Sequence, residues 1–213
     1  MASENKPAEE KFSFKGFFGD LLDLIEVAAT TFFIFTLLSF YVIRPVTVEG
    51  SSMVPTLRNE DKLIMLTLCP PVTNGHIVVI NDKDCGYFTD EEQTQVARRP
   101  GYEGVLVKRV IATAGQEVNI DTEAGTVAVD GRQLPESYIA ELTKREDGAF
   151  RYPFTVPEGY IFVMGDNRMH STDSRNPQIG LVPKEQVLGT VLFRYKRNKE
   201  FVEKWTDRYG WLF

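Results

Sequence analysis

Cysteine, histidine and long basic clusters are scarce in this sequence, and each shortage excludes a kind of site. Its 213 residues include two cysteines and two histidines. None of them stands in a CxxC pair or at zinc-ligand spacing, so we expect no metal and no cofactor. The 24 basic residues are outnumbered by 30 acidic ones, and no Lys/Arg run is long enough to follow a phosphate backbone. Nucleic acid is therefore not an expected partner.

The two cysteines leave the redox state of the chain open. Cys69 and Cys85 are 16 positions apart in the sequence. They can form a disulfide if the domain faces an oxidising compartment. Two free thiols are an equal alternative, because sequence does not give the distance between them.

A charge-free stretch follows a polar tail at the N-terminus. We expect residues 1–20 to be a disordered tail. Residues 27–43 contain no charge, and apolar residues from Leu21 onward lengthen this run enough to cross a bilayer. Pro45 ends the helix. We interpret residues 21–44 as a transmembrane anchor.

A buried core helix and a cleavable signal peptide are the alternatives for this stretch. The run is longer than the apolar region of a signal peptide, and no A-x-A cleavage site follows it. Charge does not decide its orientation, since Lys11 and Lys15 on one flank are matched by Arg44, Arg58 and Lys62 on the other.

The remainder, residues 45–213, has the pattern of a β-rich domain. Short runs of β-branched residues predict strands at 46–50, 76–80, 105–112, 126–134, 160–166 and 189–195. Asp130-Gly131 is a hairpin signal. We expect loops or a small insertion at 81–104 and 135–153, and a weak amphipathic helix at 195–207. The predicted fold class is mainly β, preceded by one N-terminal transmembrane helix.

Two segments contain residues suited to nucleophilic catalysis. Ser52 lies in Gly50-Ser51-Ser52-Met53, which taken alone is ordinary turn chemistry. Lys108 lies in a predicted strand beside Arg109, and alternation makes one of these cations face an apolar side. An edge or snorkelling lysine is the plain alternative. A buried lysine, unlike arginine, can lose its proton and act as a general base.

The third segment is residues 165–175, GDNRMHSTDSR. Nearly every side chain in it can hydrogen-bond or carry charge. It is either a solvated turn or a set of paired groups, Asp166 with Arg168 and Asp173 with Arg175, that orient catalytic neighbours.

Together the three segments resemble the sequence boxes of type I signal peptidases, membrane proteases that remove signal peptides from exported proteins. GSSMVPTL (50–57) resembles the serine box, in which the serine directly before Met is the nucleophile, here Ser52. VKRVIATAGQEV (107–118) resembles the lysine box, which makes Lys108 the general base. Residues 165–175 fit the G-D-N-R-x-x-S-x-D-S-R box at every defined position.

The resemblance also implies roles for residues around this Ser/Lys dyad. Ser171 would hydrogen-bond to and orient Lys108. The other supporting positions implied are Gly50, Asp166, Asn167, Arg168, Asp173 and Arg175, with Met53 and Pro55 as substrate-binding residues. Some family members have a serine two residues before the nucleophile that assists the oxyanion, whereas this chain has Gly50. That leaves the Ser52 backbone N–H as the assigned oxyanion donor.

The resemblance further implies a single-pass protein with a cytoplasmic N-terminus and a β-sheet catalytic domain outside the cytoplasmic membrane. Its partners would be the lipid bilayer and the signal peptides of exported preproteins, cut after small residues.

Three rival interpretations remain. In the first, Ser52, His170 and an aspartate form a triad. In the second, the chain is a self-cleaving repressor, although it lacks a DNA-binding domain. In the third, it is a catalytically silent relative that acts as a membrane-tethered assembly factor for surface proteins.

Overall fold

The computed structural model describes residues 14–68, 72–196 and 210–211. The chain divides into two compact units, Met1–Tyr41 and Val42–Phe213. The predicted helix at 195–207 falls almost entirely outside the described residues, as do Cys69 and most of the predicted tail.

The first unit contains one long helix, α1 (Phe14–Val42). Its segment Phe18–Val42 has 25 residues, and the most apolar 18-residue stretch within it has a mean hydropathy of 2.0 and is not buried inside the protein. At 1.5 Å per residue this segment is about 37 Å long, and a hydrocarbon core is about 30 Å thick. The predicted apolar helix is thus confirmed as long enough to cross a membrane. It ends three residues before Pro45, because the chain enters a strand at Ile43.

The second unit is mainly β, as predicted. Its strands are β1 (Ile43–Thr47), β2 (Lys62–Leu66), β3 (Ile77–Phe88), β4 (Val96–Thr113), β5 (Glu117–Asp121), β6 (Thr126–Val129), β7 (Arg132–Gln133), β8 (Phe154–Thr155), β9 (Tyr160–Met164), β10 (Val182–Pro183), β11 (Val187–Lys196) and β12 (Gly210–Trp211). The larger sheet has the order β1-β2-β11-β3-β4-β9-β10, with β12 beside β11, and the smaller has the order β7-β6-β5-β8.

The centre of the larger sheet is buried on both faces. Ile77 and Val79 of β3 pack into one apolar cluster, while Val78 and Ile80 pack into another. A strand covered on both sides is continuously apolar, as this one is. Its neighbour β4 holds the lysine box, which therefore also lies between two apolar layers.

For the segment 81–104 we expected a loop or a small insertion, and the loop is wrong because most of the segment is strand. β3 and β4 continue through it as an antiparallel hairpin, from Asn81 paired with Val105 to Phe88 paired with Val96. The pairing contains a bulge between Asp82 and Asp84, where three residues of β4 (101–103) oppose one residue of β3. Polar and glycine residues at this bulge weakened the strand signal. Residues 135–153 hold no regular helix or strand, apart from one bridge at Ile139.

A buried carboxylate occupies this bulge. Asp82 is 0% exposed. One of its oxygens accepts a 2.7 Å hydrogen bond from the Tyr102 backbone N–H, and the other has no partner among the described residues. Burial raises the pKa of Asp82, against the Tyr102 hydrogen bond and with the help of nearby Asp84.

We expect Asp82→Asn to stabilise the protein at neutral pH. The folded state favours the protonated acid, so stability should fall as pH rises from the unfolded pKa through the folded one. A neutral amide removes that penalty, by about 1 kcal/mol for one poorly satisfied buried group. Urea unfolding should show the variant more stable at pH 7 and the two proteins equal at acidic pH. A variant less stable than wild type at pH 7 would contradict this assignment.

The smaller sheet packs on the larger one through aromatic residues. Phe150, Phe154 and Phe162 lie in a shared cluster with ring centroids 4.5–5.9 Å apart. The predicted turn is present, since Asp130 (φ 51°) and Gly131 (φ 73°) connect β6 to β7. Positive φ at both positions is what a type I′ hairpin requires.

Cys85 is a buried free thiol. Its sulfur lies 3.9 Å from the Pro100 carbonyl oxygen and 3.8 Å from that of Pro177. Of the two alternatives left open by the sequence, the structure has the free thiol at this position.

Candidate active site

The serine box forms a tight turn after β1. Gly50 has φ +86°, a conformation that favours glycine. Its N–H donates to the Asn59 side-chain oxygen at 2.9 Å. The Val54 N–H then donates to the Ser51 carbonyl at 3.1 Å, and Met53 is 1% exposed. Burial of Met53 anchors the turn and leaves the half-buried Ser52 hydroxyl at its surface.

Lys108 reaches this hydroxyl from β4. Its Nζ lies 2.8 Å from Ser52 Oγ, although the two residues are 56 positions apart. Lys108 is 3% exposed and its neighbour Arg109 is 7% exposed. Sequence alternation required one cation to face an apolar side, and the structure buries both because β4 is covered on both faces.

Burial dominates the electrostatics of Lys108. It lowers the pKa of the amine, since the charged form loses its water. The Asp173 carboxylate opposes this by raising the pKa, Arg175 lowers it, and Asp166 raises it. The net result is a lowered pKa, which is what a general base requires.

Asp173 and Arg175 form a buried pair beside the dyad. Nε and Nη2 of Arg175 each donate to a different Asp173 oxygen at 2.8 Å. Burial alone would raise the pKa of Asp173, but the hydrogen bonds and charge of Arg175 hold it low. The Gly165 N–H donates to the same carboxylate at 2.9 Å. The pairing proposed from the sequence is therefore present.

The second proposed pairing, Asp166 with Arg168, is wrong. Asp166 instead accepts two hydrogen bonds from Arg109, from Nε at 2.8 Å and Nη2 at 2.6 Å. Arg168 instead donates hydrogen bonds to Glu136 and Thr143. The predicted pair joins residues that are two positions apart in the sequence. In the structure the partner of Asp166 comes from β4, and the partners of Arg168 come from the loop at 135–153.

Asn167 holds the nucleophile turn to the GDNR segment. Its backbone N–H donates to the Ser52 carbonyl at 2.9 Å, and its side-chain Nδ2 donates to the Ser51 carbonyl at 3.1 Å. Thr56 adds a further tie, because its hydroxyl donates to the Asp166 carboxylate. Thr56 and Arg109 were not among the residues singled out from the sequence. Their only sequence signal is that they lie inside the serine and lysine boxes.

Ser171 does not make the hydrogen bond to Lys108 that the family resemblance implied. Its hydroxyl is buried and has no hydrogen-bond partner among the described residues. Ser171 nevertheless lies close to the site, because only Gly165 is packed between it and the nucleophile turn. A Cβ at Gly165 would lie 2.5 Å from the Ser52 carbonyl oxygen and 2.6 Å from Ser171 Cβ.

We therefore expect Gly165→Ala to displace the nucleophile. The added methyl meets backbone and a buried side chain that cannot move away, so peptidase activity should fall at least about 100-fold. Gly19→Ala is the control, because a Cβ there meets nothing within 4 Å. Activity equal to wild type in Gly165→Ala would show that Ser52 tolerates the shift.

A cavity of about 240 Å³ opens beside Ser52 and Lys108. It is lined by residues 46–49, by Ser52 and Met53, and by residues 105–108. Of the two predicted substrate-binding residues, Met53 lines this cavity. Pro55 does not line it, and instead forms a bridge with Ile139.

His170 is exposed, and it is Lys108 that contacts the Ser52 hydroxyl. A search for groups of three or more His, Cys, Asp or Glu side chains able to hold a metal found none in residues 14–68, 72–196 and 210–211.

Comparison with known proteins identifies the family. Residues 21–196 match the family described as signal peptidase, peptidase S26. The chain belongs to this family. As a peptidase S26 member it is a serine protease, and its apolar N-terminal helix indicates membrane anchoring.

Several relatives cover most of this signal peptidase family member. A probable signal peptidase I-1 of Synechocystis is 37% identical over 75% of this chain and 74% of its own length. Signal peptidase I of Bacillus amyloliquefaciens is 30% identical over 91% of this chain and 94% of its own. Signal peptidase I of Bacillus licheniformis is 34% identical over 74% and 78%.

Proposed function

We propose that this chain is a membrane-bound endopeptidase that removes N-terminal signal peptides from exported preproteins, with Ser52 as nucleophile and Lys108 as general base. The observation that carries the proposal is the 2.8 Å contact between the buried Lys108 amine and the Ser52 hydroxyl, at the edge of a cavity. The catalytically silent alternative is not favoured, because both groups are present and in contact.

The reaction follows from this geometry. Neutral Lys108 takes the hydroxyl proton of Ser52 as its oxygen attacks the scissile carbonyl carbon. The backbone N–H of Ser52 stabilises the resulting oxyanion. Protonated Lys108 then gives its proton to the nitrogen of the leaving group. The C–N bond breaks and an acyl-enzyme remains. Lys108, neutral again, next activates a water molecule, which hydrolyses the ester and frees Ser52.

The cavity favours small side chains before the cut. Its walls are apolar at Val48, Val107 and Met53, and its volume is only about 240 Å³. An extended substrate can pair with β4 here, since β9 pairs with β4 only from Arg109 onward. Residues 105–107 therefore offer backbone groups on one edge that no strand of the described chain occupies.

We also propose a single-pass topology with the N-terminus in the cytoplasm and the catalytic domain outside. The apolar segment Phe18–Val42 supports the anchor, and signal peptides become available for cleavage once they have crossed the membrane. Protease added outside intact cells lacking a wall should digest the catalytic domain. Digestion only after lysis would contradict this orientation.

The proposed function is tested by cleavage of a purified preprotein with the full chain in detergent. Wild type should release a signal peptide after a small residue, as read by N-terminal sequencing of the product. Ser52→Ala and Lys108→Ala should each reduce the rate by at least about 1,000-fold. His170→Ala should retain it. An inactive wild type, or an active Lys108→Ala, would refute the dyad.

A further inference from the structure

The charges around the dyad cancel in pairs, with one exception. Asp173 is paired with Arg175, and Asp166 with Arg109. Of the residues that line the cavity, only Glu49 and Lys108 are ionisable, and burial favours the neutral form of Lys108. Glu49 is therefore the one residue of the cavity lining whose charge is not balanced by an opposite charge in that lining.

Glu49 has no structural task that would explain its position. Its side chain is exposed, and it makes no hydrogen bond or ion pair with any residue that the structure describes. The turn that follows it is held by other groups, namely Asn59 on Gly50 and Asn167 on Ser52. A carboxylate can be solvated at any exposed position of a protein. This one lies three residues from the nucleophile, on the wall of the cavity.

An extended substrate places some of its side chains inside this cavity and others at its rim. Alternate residues of a strand point to opposite faces. If the residue before the cut enters the apolar cavity, the next one upstream points to the open rim, and the first residue after the cut passes the end of the cavity. Both can approach Glu49, whereas the apolar walls at residues 105–107 exclude charged side chains.

We infer that Glu49 is a specificity-determining residue, which selects basic over acidic side chains at the substrate positions beside the cut. The inference rests on the proposed function and adds a charge preference to it. Attraction of a lysine and repulsion of a glutamate by one partly solvated carboxylate together predict a preference of about fivefold at low ionic strength.

The test uses full-length enzyme in detergent and two sets of synthetic peptides that differ at one position. One set varies the second residue before the cut and the other the first residue after it, each with Ala, Lys or Glu. The measured quantity is the ratio of kcat/KM for the Lys peptide to that for the Glu peptide. This ratio does not depend on the fraction of active enzyme or on the basal rate.

Wild type should give a ratio of about five in at least one set, falling towards one at about 1 M salt, where the screening length is about 3 Å. Glu49→Gln should give a ratio near one, and Glu49→Lys should invert it. Glu158→Gln removes the same charge from an exposed loop outside the cavity and should keep the wild-type ratio.

Two results would overturn the inference while leaving the proposed function intact. One is a wild-type ratio near one in both sets although the Ala peptide is cut. The other is an unchanged ratio in Glu49→Gln, which would mean that a group other than Glu49 sets the charge preference. If wild type cuts no peptide and no preprotein, the proposed function fails and the inference fails with it.

Discussion

Replacing Lys108 by methionine is expected to abolish cleavage and at the same time to stabilise the protein at neutral pH. The buried amine has a lowered pKa, so the unfolded chain binds its proton more tightly than the folded one. Wild-type stability should therefore rise with pH from the folded pKa to the unfolded pKa. Methionine has similar length and no charge, which should add about 1–4 kcal/mol at pH 7, the range seen when buried ion pairs are replaced by apolar residues.

Urea unfolding in detergent across pH checks this prediction. The advantage of Lys108→Met should be largest below the folded pKa of Lys108 and should vanish above its unfolded pKa. Ser52→Ala is the matched control, because it also lacks activity but keeps the buried amine and the wild-type pH dependence. A methionine variant less stable than wild type at every pH would mean that Lys108 stabilises the fold.

Asp173→Asn and Arg175→Met are expected to move the pH dependence of cleavage in opposite directions. Asp173 raises the pKa of Lys108 and Arg175 lowers it. Removing the Asp173 carboxylate should shift the acid limb of kcat/KM to lower pH, and removing the Arg175 guanidinium should shift it to higher pH. Each change leaves one buried charge unpaired and should destabilise the protein by about 3–5 kcal/mol.

The double variant Asp173→Asn/Arg175→Met separates charge from misplacement. With both charges gone, its acid limb should return towards the wild-type position, whereas damage to the site geometry would not be reversed. Peptide cleavage measured between pH 6 and pH 10 at a temperature where all variants are folded gives the three profiles. Single variants whose acid limbs move in the same direction would show that the pair acts only on structure.

Local pattern was sufficient for most of the fold. The anchor followed from a long run without charge, and the strands at HIVVI and YIFVM followed from β-branched and aromatic residues. β2 (Lys62–Leu66) was missed, because Leu and Met do not signal a strand. It forms because it pairs with β1 on one side and β11 on the other, and because Leu63 and Met65 are buried on one face.

The hairpin at 81–104 marks the limit of this reasoning. Its polar residues and Pro100 are typical of a loop. The strands persist there because the two arms of the hairpin pair with each other and Gly86 bridges to Leu181. Contacts between residues about 90 positions apart are absent from any local window of sequence.

By itself the sequence determined the anchor, the mainly β class and the boxes containing Ser52 and Lys108, because these depend on neighbours along the chain. Only the tertiary structure decided that both Lys108 and Arg109 are buried, that Asp166 pairs with Arg109, and that the Ser171 hydroxyl has no hydrogen-bond partner among the described residues. Burial and pairing are set by segments distant in sequence that meet in space. The lowered pKa of Lys108 is a product of that packing, since the same residue in an open strand would keep its proton.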